Sequence, residues 1–84
     1  DMYAQCIYIF EKIDKVLQQA GCSMSHVVRT RAFVTDISRW EEFAKAHAAW
    51  FGDIKPATSL IEVKGLIDAK MLVEIEVTAI IGNE

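Results

Sequence analysis

Glu74 and Glu76 stand two residues apart near the end of an 84-residue chain. On a strand, that spacing points both carboxylates to one face, roughly 7 Å apart. If another copy of the chain covered that face, at least one would have a raised pKa and could act as general acid or base. The same spacing serves equally well for an ion network between subunits with Arg29 and Arg31, also two apart. Those arginines could instead bind an acidic ligand in a cleft. His47 falls on an apolar stripe, where a lone histidine is more often a core or rim residue than a catalyst. His26 carries less still. Thr58 and Ser59 follow Pro56, the only proline, at a strand opening of the kind that often rims a ligand pocket. Neither has an evident base to make it a nucleophile, so a hydrogen-bonding role is expected.

Other chemistries find little support. Cys6 and Cys22 are the two cysteines. If residues 4 to 20 form one helix, its rise separates them by roughly 24 Å, beyond disulfide reach. They read as reduced intracellular thiols. No metal-spaced Cys/His cluster and no glycine-rich phosphate loop is present, so a metal site and nucleotide-dependent chemistry find no support. The net charge of −3 comes with no basic run, which argues against a nucleic-acid surface. No segment reads as a signal peptide or a membrane span. The default expectation is a cytoplasmic protein.

The elements that must position these residues follow from periodicity. Ala4 to Ala20 reads as an amphipathic helix with Cys6, Ile9, Phe10, Ile13, Val16, Leu17 and Ala20 on its apolar stripe. Asp1 suits its N-cap and Gly21 its C-terminal cap. Cys22 to Ser25 is a polar connector. His26 to Thr35 reads as a β-branched strand. Its small, apolar face (Val28, Thr30, Ala32, Val34) suits helix packing, and its other face carries Val27, Arg29, Arg31, Phe33 and Thr35. Ser38 and Glu41 are spaced as a capping box for a second helix running to about Phe51. That helix carries Trp40, Phe43, Ala44, His47, Ala48 and Phe51 on one stripe, with Gly52 ending it and Pro56 preventing its resumption. Ala57 to Val63 is a second strand, residues 65 to 70 a loop, and Met71 to Ile81 a third strand with strict alternation.

The order α-β-α-β-β predicts an α+β domain with a parallel strand-helix-strand crossover. The last two strands, joined by a short loop, are expected to pair antiparallel. Two helices then cover one sheet face and leave the other bare, with Arg29, Arg31, Phe33, Glu74 and Glu76 on it. Such a face on a small domain predicts a partner, most simply copies of itself.

Read in order, QQAGCSMSHVVRTRAFVTD, RWEEFAKAHAAWFGDIKPATSLIEV and LIDAKMLVEIEVTAI resemble the RidA family, also called YjgF or endoribonuclease L-PSP. The resemblance covers nearly the whole chain and matches roughly the last two thirds of a typical member. KPATSLIEV and VEIE are its most specific pieces. It implies a chorismate-mutase-like domain over residues 1–84, assembled as a homotrimer with small-molecule ligands bound between subunits. It also implies hydrolysis of reactive enamines or imines to a carbonyl product and ammonia, without metal or cofactor. Under it Glu74 matches the family's site glutamate and His47 falls near a family asparagine. Thr58 stands where the substrate-binding arginine is expected, and Leu60 where many members have cysteine. The family's N-terminal hairpin has no counterpart, and the chain enters a helix directly at Asp1, as expected of a piece of a longer protein. Two alternatives accompany this reading: a ligand-binding or regulatory trimer without turnover, and RNA cleavage, which rests on the family's older name.

Overall fold

The computed structural model describes residues 1–81. The first helix, α1, spans Met2–Gln19. The Asp1 carboxylate accepts a 2.7 Å bond from the Ala4 N–H, which satisfies one of the first free amides of the helix. At the other end Gly21 takes φ +82°, a conformation that costs glycine little. The Cys22 N–H then donates to the Leu17 carbonyl at 2.7 Å, and the Gly21 N–H to the Gln18 carbonyl at 3.1 Å. This paired closure is the Schellman arrangement. A short 3₁₀ turn at Met24–His26 occupies the connector. In it His26 Nδ1 accepts from the Ser23 N–H at 3.0 Å.

Strand β1 (Val27–Val34) is the centre of a three-stranded sheet ordered β2-β1-β3. Strand β2 (Ala57–Glu62) runs parallel to it through the crossover helix α2 (Trp40–Phe51), as expected. Strand β3 (Val73–Ala79) departs from expectation, pairing antiparallel with β1 rather than with β2. The connection between β2 and β3 is too long for a tight hairpin. It carries the chain across the end of β1, where Val63 N–H donates to Val34 O at 2.8 Å and Thr35 N–H to Leu72 O at 3.2 Å.

Both helices pack on one face of this mixed sheet, around a core containing Met2, Cys6, Phe10, Ala32, Phe43 and Phe51. Phe10 is fully buried and meets Phe51 edge-on, with ring centroids 5.3 Å apart. Several local expectations shift by a position. The β1–β3 register slips between Val27 and Arg29, so Val27 turns inward and Val28 is left 45% exposed. A bulge of this kind places two successive side chains outward before alternation resumes. The Ser38–Glu41 capping box does not form. Instead the Asp36 carboxylate caps a 3₁₀ turn at Ile37–Arg39, accepting from Ser38 N–H and Ser38 Oγ–H at 3.1 and 2.6 Å. Helix α2 buries Phe43, Ala46 and Phe51, while Trp40 is 52% exposed. Gly52 keeps a helical backbone, and the reversal falls on Lys55 at φ +54°, just before Pro56.

Candidate functional site

The sheet separates the candidate residues into two groups. Register places Thr30 beside Thr58 on the helix-facing side. Thr30 is the one buried polar residue in that core, with no exposed surface. Its hydroxyl lies 3.0 Å from His47 Nε2 and donates to Thr58 Oγ1 at 3.1 Å. Thr58 Oγ1 also lies 3.2 Å from His47 Nε2 and donates to the Pro56 carbonyl at 3.0 Å. The His47 ring is packed among aromatics, with Phe51 at 4.8 Å and Phe43 at 5.4 Å between centroids. Burial disfavours its cation and holds its pKa below the ordinary 6.5.

In the sequence His47 and Thr58 are linked only through the family resemblance, and Thr30 sits on a face suited to helix packing. The signal for Thr30 was a hydroxyl on an otherwise apolar strand face, in register with a second threonine and facing a helix that carries a histidine.

The second group lies on the bare face. Arg31 stands opposite Glu76, and its guanidinium reaches Glu76 Oε1 at 2.8 Å, both side chains being about half exposed. Ser59 is the parallel neighbour of Arg31 on that same face, pointing away from Thr58. Arg29 stands opposite Thr78 and Glu74 opposite Phe33. Arg29, Arg31, Glu76, Val77 and Thr78 line an open depression of about 370 Å³. Among the described residues neither the Glu74 carboxylate nor the Arg29 guanidinium has an ion-pair or side-chain hydrogen-bond partner. The structure thus unites Arg31 with Glu76, and His47 with Thr58. Thr58 and Glu74 lie on opposite faces of one protomer's sheet, so a cleft using both must draw them from two copies.

Among the described residues, no group of three or more His, Cys, Asp or Glu side chains is arranged to hold a metal ion. No helix there is long and apolar enough to cross a membrane. Cys6 is fully buried, and desolvation, reinforced by the Glu42 charge, pushes its thiol pKa up to about 11.

A helix pair on a mixed sheet with this connectivity is found in a known group of proteins. The family model described as endoribonuclease L-PSP matches residues 1–81. The chain belongs to this family, the RidA/YjgF proteins. A RutC family protein of Aquifex aeolicus is 34% identical over 79 residues, covering 90% of this chain and 62% of its own length. The crystal structure of a YjgF/YER057c/UK114 family member from Mycobacterium tuberculosis superimposes with a TM-score of 0.95 at 48% identity, covering 96% of this chain and 69% of that one. A Rid family protein of unknown function from Yersinia pestis gives 0.88 at 39% identity, covering 94% and 63%. These family members carry the same chorismate-mutase-like fold. The chain spans about three fifths of the length of the first two curated relatives, 62% and 61%.

Proposed function

We propose that this RidA/YjgF protein binds a small metabolite in clefts between copies of itself, as a homotrimer. In these clefts it hydrolyses an enamine or imine to a carbonyl product and ammonia. The observation that carries the reading is the Glu74 carboxylate, which is exposed and unpaired among the described residues on the bare, half-apolar sheet face. A free carboxylate held in a cleft beside a bound water can serve as its general base. Glu74 takes a proton from water as the oxygen adds to the imine carbon. It passes that proton to the nitrogen, giving a carbinolamine, and then carries the remaining hydroxyl proton to the nitrogen as the C–N bond breaks, leaving C=O and ammonia. Arg31 and Glu76, already paired, line the cleft or the contact between copies, and Ser59 faces the same side.

The test is ammonia release from freshly generated imines, with and without a carboxylate, comparing the protein with Glu74→Ala. The expected loss is about 10²–10⁴-fold, the usual contribution of one acid-base group. Equal rates at the uncatalysed background contradict the reading.

A second reading, a ligand-binding or regulatory trimer without turnover, is favoured by one feature. Thr58 holds the place where the resemblance expects an arginine, and a hydroxyl cannot clamp a carboxylate bidentately. Saturable thermal stabilisation by a metabolite, with no ammonia released, would select it. RNA cleavage has the least support, because the −3 net charge offers no cationic track. Purified protein is expected to leave single-stranded RNA intact.

A further inference from the structure

The hydroxyl network at the β2 entrance has a definite proton count. Each threonine hydroxyl has one proton to donate and two lone pairs to accept with. The Thr30 hydroxyl donates its proton to a hydrogen bond with Thr58 Oγ1, and the Thr58 hydroxyl donates to the Pro56 carbonyl. Both hydroxyl protons are then in use, and His47 Nε2 still sits 3.0 Å from Thr30 Oγ1 and 3.2 Å from Thr58 Oγ1. An unprotonated Nε2 there would have to draw a proton away from one of those bonds. A protonated Nε2 leaves both hydroxyl bonds in place and donates to Thr30 Oγ1, its nearer acceptor. The chain therefore runs in one direction, from His47 Nε2–H through Thr30 and Thr58 to Pro56. Thr58, the exposed end, retains acceptor capacity and has no proton left to offer.

We infer that His47 and Thr30 are positioning residues that hold the Thr58 hydroxyl as an acceptor, so that this rim takes a ligand N–H group from a neutral amide or amine and rejects a carboxylate. The inference deepens the proposed function, since it rests on the β2 entrance being a ligand rim and names the substrate class that rim selects. A carboxylate brings only acceptors and would meet the Thr58 lone pair, leaving both groups unpaired. An N–H donor completes the hydroxyl's hydrogen bonding. The uncharged His47 ring adds no cation to attract an anion.

Acetamide and acetate have nearly the same shape and differ in donor content and charge, so they are suitable probes. The experiment follows Thr58 and His47 by NMR at about pH 8, above the ordinary histidine pKa. The ¹⁵N shifts of the His47 ring are expected to show a neutral Nε2–H tautomer. Acetamide is expected to give saturable shifts at Thr58, with acetate about tenfold weaker or worse, a ratio of the size set by one unmade hydrogen bond. Thr58→Val should abolish the acetamide response. His47→Gln, whose amide can donate to the same hydroxyls, should keep it, and His47→Phe should lose it. An Nδ1–H tautomer, acetate binding as tightly as acetamide, or no saturable response to either probe would each overturn the inference. None of these readouts involves turnover. A failure here beside intact Glu74-dependent ammonia release leaves the proposed activity standing, and the converse outcome separates the two in the same way.

Discussion

The two faces of the sheet are built on different physics. The helix-facing side buries Phe10, Phe43, Phe51, Ala32 and Val34 and admits one polar island, whose hydroxyls are all bonded. The bare side carries Phe33 and Ile61 among Arg29, Arg31, Glu74 and Glu76, with one ion pair among the four charges. Burial closes the first face within a single chain. The second has charges and apolar groups in alternation and gains little until something covers it. The first face therefore sets the fold and carries Thr58 at its exposed rim, and the second is where association and the Glu74 chemistry are proposed.

The sharpest way to break this contrast is to empty the covered face. Phe10→Ala removes a fully buried ring and should cost about 3–5 kcal/mol, read from the urea midpoint. A loss below about 1 kcal/mol would mean that the packing around α1 is not what holds the domain.

The polar island comes next. Thr30→Val keeps the shape but removes the hydroxyl that His47 and Thr58 share, so about 1–3 kcal/mol should be lost. The pH profile sharpens the same point. Burial depresses the His47 pKa, so below the ordinary 6.5 the unfolded chain binds the proton more readily than the fold does. The contribution of neutral His47 is then complete above about pH 6.5 and declines as pH falls through the depressed folded value. His47→Gln should flatten that part of the profile of urea midpoint against pH.

On the bare face, Arg31→Ala should cost no more than about 1 kcal/mol within one protomer, because the Glu76 pair is half exposed and screened. A larger loss that grows with protein concentration would mean that the pair is covered by association. The smallest effect concerns thiol chemistry. Iodoacetamide near pH 8 should label the partly exposed Cys22 and spare Cys6, which is buried and has a pKa of about 11. Unfolding in urea should make both reactive.

The periodicity of residues 71–81 was enough to place Glu74 and Glu76 together on the bare side, because strict alternation encodes a face. It could not show that β3 lies beside β1, since pairing is a non-local choice that hydrophobic period leaves open. The bulge at Val27 and Val28 was hidden for a related reason. Both are valines, and only the register with β3 decides which turns inward. In α2 Phe43 and Phe51 lie on the buried stripe as the spacing predicts, but Ala46 is buried there while Trp40 and Ala48 are exposed, because small alanines weight either side of the helix equally. Of the site, the acidic pair and the threonine at the strand entrance were legible. The bond from His47 to Thr30 was not, because it joins a helix to a strand across the core.

The claim that the bare face is closed by copies of this chain is tested most directly by sedimentation equilibrium, comparing the protein with Ile61→Asp. Ile61 lies beside Phe33 on that face and is 40% exposed, so the substitution leaves the protomer's core intact. The account predicts three chain masses for the protein and one for the folded variant. A single chain mass for the unaltered protein across the concentration range would contradict it.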